Sequence, residues 1–171
     1  KKDENLLKRR MAAPTISPSS SMEENTSSSS LQKTTYTIAD IPQLSQTLQN
    51  PESTDEAMEG AVRGFRRILS VERNPPVHAV LQTGVLPVFI QCLTKNPHAS
   101  NLIFEAAWAL TNIASTEETR TVVEAGAVPP LIQLLRHAVP DVREQAAWCL
   151  GNIAGDNTEF RDALLHHGAL Q

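Results

Sequence analysis

Trp108 and Asn112, and again Trp148 and Asn152, set an indole and a carboxamide four residues apart. On a helix, such positions stand one turn apart on the same face. A carboxamide can donate to a main-chain carbonyl and accept from a main-chain N–H. Indole faces leave slots between them, and the aliphatic stems of Lys and Arg pack well there. The charge at the end of such a stem adds about 0.5–2 kcal/mol by cation–π contact. Glu105, Glu144 and Asp156 are near enough in sequence to contribute negative potential. An extended peptide, rising about 3.3 Å per residue with alternate side chains on one side, matches a ladder of this kind. The ligand expected from these residues is an extended segment rich in Lys and Arg.

Other reactive types do not assemble into a site. His166 and His167 are adjacent, but no Cys or third His completes a metal set, so they read as the end of a surface helix. Cys92 and Cys149 lie far apart and outside any CxxC spacing. They are expected to be reduced thiols of an intracellular protein. No catalytic residues, cofactor, metal or small-molecule substrate are expected. No apolar run approaches the roughly 18 residues that a bilayer span requires, so no membrane insertion is expected either.

The elements that must position the two pairs follow from self-similarity. Glu105-Ala-Ala-Trp-Ala-Leu-Thr-Asn-Ile-Ala114 recurs as Gln145-Ala-Ala-Trp-Cys-Leu-Gly-Asn-Ile-Ala154, 40 residues later. Gly84-Val-Leu-Pro recurs as Gly126-Ala-Val-Pro at an offset of 42, and Gly168-Ala-Leu begins a third copy at the same offset. A period of about 40–47 residues with three helices is the armadillo pattern. The predicted helices are Thr119–Ala125, Pro129 to about His137, and Asp141–Ala154, with Gly126 closing the first of them. One period earlier they are Val77–Thr83, Val85–Lys95 and Ala99–Ser115. A less regular unit covers Ile41–Gln49 and Ser53–Ser70, where Phe65-Arg-Arg-Ile-Leu-Ser70 replaces the Trp/Asn segment. With only 4% aromatic residues, the core must be built from Leu, Ile, Val and Ala.

At 100° per residue, Leu102, Ala106, Ala109 and Ile113 share one stripe of the third helix, with Leu110 at its edge. Glu105, Trp108 and Asn112 fall away from it. The next copy puts Val142, Ala146, Cys149 and Ile153 inside and Gln145, Trp148 and Asn152 off the stripe. The wheel therefore predicts an exposed indole beside an unpaired carboxamide on each repeat, an arrangement that a ligand would have to satisfy.

Charge is divided along the chain. The net charge is −4, yet residues 1–10 sum to +3 and residues 84–171 to −4. An acidic body is the wrong sign for nucleic acid. Residues 1–10 are expected to end a basic helical segment, residues 11–37 to form a disordered Ser-rich linker, and residues 38–171 to hold about three armadillo repeats. Both ends of the sequence read as truncations, with the next Trp/Asn pair expected beyond Gln171. The expected fold class is all-α, a right-handed armadillo superhelix behind a short helical or disordered tail.

These segments resemble the importin-alpha (karyopherin alpha) family. Glu105–Ser115, Ala147–Asp156 and Phe160-Arg-Asp162 are similar to its second and third repeats, Asn74-Pro-Pro76 with Gln82-Thr-Gly84 to its first, and Lys1–Arg10 to the end of its importin-beta-binding segment. The resemblance implies a nuclear import adaptor, shuttling between cytoplasm and nucleus, that binds nuclear localisation signals of cargo proteins and links them to importin-beta. It implies a peptide-binding role for Trp108, Asn112, Trp148 and Asn152, and further groove positions at Thr119, Gln145 and Asp156. Lys8, Arg9 and Arg10 match a basic cluster that occupies the groove when importin-beta is absent. The loop after Ser115 is about two residues shorter than the family pattern. The alternative is an armadillo scaffold of adhesion or signalling with an acidic partner. Such a groove needs Lys or Arg on the third helices where this sequence has Trp, Asn, Glu and Gln.

Overall fold

The computed structural model describes residues 35–71 and 73–170. The expectations placed on residues 1–10 and on most of the linker lie outside these described residues. A 3-10 turn, Ile38–Asp40, leads into nine helices among the described residues. These are α1 (Ile41–Gln49), α2 (Asp55–Leu69), α3 (Val77–Leu81), α4 (Leu86–Cys92), α5 (Ser100–Ala114), α6 (Thr119–Glu124), α7 (Val128–Leu134), α8 (Pro140–Ala154) and α9 (Thr158–His166). The architecture is an all-α solenoid. The first unit contributes α1 and α2, the next α3, α4 and α5, the next α6, α7 and α8, and α9 opens another.

Local chemistry explains the boundaries. Thr54 Oγ1 accepts from Ala57 N at 3.2 Å, and Asp55 and Glu56 in the first turn with Arg66 and Arg67 in the last complement the dipole of α2. Asn157 Oδ1 accepts from Phe160 N at 2.9 Å and starts α9. Proline occupies the first turn of α1, α4, α7 and α8, where its missing N–H costs nothing. The first helix of each of the later units ends at a glycine with positive φ: Gly84 (73°), Gly126 (87°) and Gly168 (80°). These glycines carry the 42-residue offset seen in the sequence, so the period marks a left-handed turn.

The helix forecast is close, with one consistent difference. The second helix of the later unit was expected to reach about His137, but α7 ends at Leu134. Leu135, Arg136 and His137 donate to residues three back (3.2, 3.1 and 3.0 Å), so the end tightens into 3-10 turns. Leu93 and Thr94 do the same after α4.

The core is continuous across the units. The predicted stripe of α5, with Leu102, Ala106, Ala109, Leu110 and Ile113, is buried, as are Val142, Ala146, Cys149 and Ile153 of α8. Phe65 meets Phe89 edge-on at 5.5 Å between ring centroids, joining α2 to α4. The most extensive helix contacts are α2 with α5 and α5 with α8. The third helices therefore stack directly on one another, and this stack carries both Trp/Asn pairs.

Candidate functional site

The stacking settles where each predicted residue sits. Trp108 and Trp148 are half-buried, keeping part of each indole accessible. Their companions do not stay at the surface. Glu105 (6%), Asn112 (6%), Gln145 (2%) and Asn152 (3%) are almost wholly covered. This corrects the expectation of an exposed, unpaired carboxamide. The wheel separates a helix's own core stripe from the rest, but it cannot see that one flank of the rest is covered by the preceding third helix.

The covered groups are spent on that neighbouring helix in a repeated pattern. Asn112 Nδ2 donates to the Arg66 carbonyl at 3.3 Å and to Ser70 Oγ at 3.0 Å. One repeat later, Asn152 Nδ2 donates to the Thr111 carbonyl at 3.3 Å. Glu105 grips the side chain of that same Arg66, its Oε2 accepting from Nε at 2.8 Å and its Oε1 from Nη2 at 3.1 Å. Gln145 Nε2 donates to Thr111 Oγ1 at 2.8 Å. Residues 66 and 111 are thus structurally equivalent: each offers its carbonyl to the Asn and its side chain to the residue at 105 or 145.

The two interfaces differ in charge. Arg63 adds its Nε to Glu105 Oε1 at 3.0 Å and also pairs with Glu59. The Glu105 carboxylate is therefore neutralised internally, and it does not lend the groove the potential expected of it. Arg66 lies over Trp108, with Cζ 4.3 Å from the ring centroid, and Phe104 meets the same indole edge-on at 5.5 Å. Among the described residues, no ring or cation stacks on Trp148. The Thr111 hydroxyl instead donates to the Ala107 carbonyl at 2.8 Å. Gln145 Oε1 is buried and accepts from no described residue, an arrangement that ordinarily costs about 1–3 kcal/mol.

The remaining predicted positions are less central. Thr119 is buried, and its Oγ1 donates to the carbonyls of Ala114 (3.0 Å) and Thr116 (2.9 Å), closing the end of α5. Asp156 is half-buried just beyond α8, where its Oδ2 accepts from Asn157 Nδ2 at 3.0 Å. Glu144 is exposed. Lys8, Arg9 and Arg10 lie outside the described residues. His166 and His167 are exposed at the end of α9. Burial pushes the thiols of Cys92 and Cys149 up to about 11 and about 12, which keeps them protonated and unreactive near neutrality.

Sequence reasoning missed Arg66, Ser70 and Thr111. The signal for Arg66 was present in Phe65-Arg-Arg-Ile-Leu-Ser70, the segment standing where later repeats have Trp and Asn. Thr111 carries no comparable signal, because its role depends on the neighbouring helix alone.

Comparison with known proteins agrees with this geometry. Residues 73–115 and 115–155 match the Armadillo/beta-catenin-like repeat family. The chain is 43% identical over 167 residues to importin subunit alpha-6 of Arabidopsis thaliana, covering 96% of this chain and 30% of that protein. It is 53% identical over 112 residues to importin subunit alpha-2 of the same plant, covering 64% of this chain and 21% of the relative. It is 43% identical over 149 residues to importin subunit alpha of Saccharomyces cerevisiae, covering 85% and 27%. The chain thus spans less than a third of these curated relatives. Among solved structures, it resembles a designed armadillo-repeat protein in complex with the peptide (KR)4, with a TM-score of 0.69 and 31% identity over 77% of this chain and 54% of that one. Repeat family, relatives and stacked third helices agree, and the chain belongs to the importin-alpha family of armadillo-repeat proteins.

Proposed function

We propose that this chain is the peptide-binding part of a nuclear import adaptor, and that its stacked third helices hold a Lys/Arg-rich localisation signal in extended form. The observation that carries this reading is the repeated half-buried indole beside an Asn that also ties adjacent third helices together. Asn152 spends a carboxamide hydrogen on the Thr111 carbonyl, which fixes the group one turn from the half-buried Trp148. The half-buried Trp148, on which no described ring or cation stacks, offers its indole to the stem and charge of a Lys or Arg. A structural relative that holds a (KR)4 peptide supports this chemistry. The acidic balance of residues 84–171 favours a basic ligand over nucleic acid.

In this reading the protein acts without catalysis, moves between cytoplasm and nucleus, and connects cargo to importin-beta through the segment ending at Arg10. Lys8, Arg9 and Arg10 compete with cargo for the groove. The alternative acidic partner is disfavoured because Arg66, over Trp108, and its neighbour Arg63 are paired with Glu105 and Glu59.

The test is titration of a fluorescent Lys/Arg peptide into the chain and into Trp148→Ala. Loss of affinity in the variant is expected, and equal affinity would sink the proposal. Deleting residues 1–10 should raise affinity, most clearly at low salt, where charge competition is least screened. An unchanged affinity after that deletion would remove the autoinhibitory role.

A further inference from the structure

The side of α2 that carries Arg63, Arg66 and Ser70 meets α5, and the opposite side is the end of the stack. Because residues 66 and 111 are equivalent, Gly60 stands where α5 has Glu105, the residue that grips the preceding third helix. Among the described residues, no third helix precedes α2. The end unit of a solenoid leaves uncovered an apolar face that a neighbouring repeat would bury. Here that face is partly closed by the chain itself. Tyr36 packs against the core, and a Cβ added at Gly64 would lie 2.9 Å from its Cε1 and 2.8 Å from Leu44 Cδ1. One turn earlier, a Cβ added at Gly60 would meet nothing within 4 Å, and Ala57 is exposed. Tyr36, Leu44, Ala57, Gly60 and Ala61 line a groove of about 220 Å³ there, with Asp40 among its polar members.

We propose that the segment just before Tyr36 lies in this groove, with Leu31 as its apolar anchor, and caps the first unit in place of a preceding third helix. Reach, polarity and charge all select that occupant. Leu31 is the only apolar residue between Met22 and Tyr36. It stands five residues before Tyr36, a reach of up to about 17 Å. Gly60 and Ala57 lie only about 6 and about 10 Å along α2 from Gly64. Lys33 is the only charged residue between Glu24 and Asp40. The groove offers it the Asp40 carboxylate and, one turn before Gly60 on α2, that of Glu56. Docked in this way, the chain leaves the solenoid only ahead of Leu31. Residues 11–30 then tether the basic cluster at Lys8, Arg9 and Arg10. The cap does not depend on peptide binding.

Lys33 makes the cap readable by trypsin, which cleaves after lysine. The full chain is digested briefly beside Leu31→Ser and Gly60→Leu, and cleavage after Lys33 is followed by mass spectrometry. Each rate is divided by that of a free peptide spanning the same residues 28–36. Gly60→Leu fills the groove from the helix side, where an added side chain has room. Docking withholds Lys33 from the protease, so both variants should be cut about fivefold faster than the wild type, the scale of partly burying one leucine side chain. Circular dichroism should report unchanged helix content in both. Unchanged cleavage in either folded variant would overturn the cap. Should Gly60→Leu lose its fold, Leu31→Ser, which alters none of the described helices, decides alone. Protection that weakens on dilution, with a doubled mass in light scattering, would assign the groove to a second copy and overturn the proposal as well.

Discussion

The first and second third-helix interfaces share a hydrogen-bond scheme and differ in what they leave for a ligand. In the α2–α5 interface, Asn112 reaches the Arg66 carbonyl, and Glu105 locks the Arg66 side chain onto Trp108. In the α5–α8 interface, Asn152 reaches the Thr111 carbonyl and Gln145 meets the Thr111 hydroxyl, and among the described residues no ring or cation stacks on Trp148. The asparagines are thus interface ties as well as candidate ligand contacts. What distinguishes the rungs is the residue beneath the indole. Repeats with the same fold and the same Trp/Asn signature need not be equivalent binding units.

The comparison predicts unequal costs for removing the bridging side chains. Glu105→Ala leaves Arg66 and Arg63 without their shared, mostly buried carboxylate. It should cost about 2–3 kcal/mol in urea denaturation, somewhat less than a fully buried pair because the arginines are partly exposed. Gln145→Ala removes one neutral hydrogen bond together with an unpartnered acceptor, and should cost about 1 kcal/mol or less. Equal costs would break the distinction between a charged and a neutral interface.

A smaller contrast is expected in binding. Trp148→Ala should weaken a basic peptide by about tenfold and Trp108→Ala by about threefold, because one face of Trp108 is already occupied. Peptide titration by fluorescence anisotropy measures both, and the reverse order would contradict the account. Asn152→Ala, which removes one tie, should lower stability by about 1 kcal/mol, and Asn112→Ala, which removes ties to both Arg66 and Ser70, by somewhat more, as read by thermal melts. A larger loss from Asn152→Ala would contradict the hydrogen-bond scheme.

The smallest expected effect concerns the buried thiols. Cys149 lies in the second interface, beside Thr111, and Cys92 in the first complete repeat. Their ordinary value of 9.0 is raised on folding, so the unfolded chain ionises first as pH climbs. The stability they confer is complete below about 9 and is lost as pH rises toward about 11 for Cys92 and about 12 for Cys149. At pH 8, a thiol-labelling reagent should modify neither until the chain is unfolded. Labelling of native Cys149 alone would indicate an interface that opens.

Much of this organisation was legible in the sequence, and the boundary of what was legible is physical. The glycines at 84, 126 and 168 and the apolar stripe from Leu102 to Ile113 report constraints internal to a repeat, which periodicity reads directly. Burial of Asn112, Asn152 and Gln145 depends on the helix next door, whose register no wheel contains. Glu105 looked like free negative charge for the same reason, since its partners Arg63 and Arg66 lie about 40 residues away. The family resemblance implies a groove position for Thr119, which is buried with its hydroxyl closing the end of α5.

In the proposed complex, Trp148 meets the basic peptide while Trp108 is already partly covered by Arg66. The chain has two tryptophans, so a proton–nitrogen NMR spectrum of the labelled chain should contain two indole N–H signals, assignable by single substitution. Titrating a Lys/Arg peptide should move the Trp148 signal strongly and the Trp108 signal less. Equal shifts, a larger shift at Trp108, or no shift at either indole would contradict it.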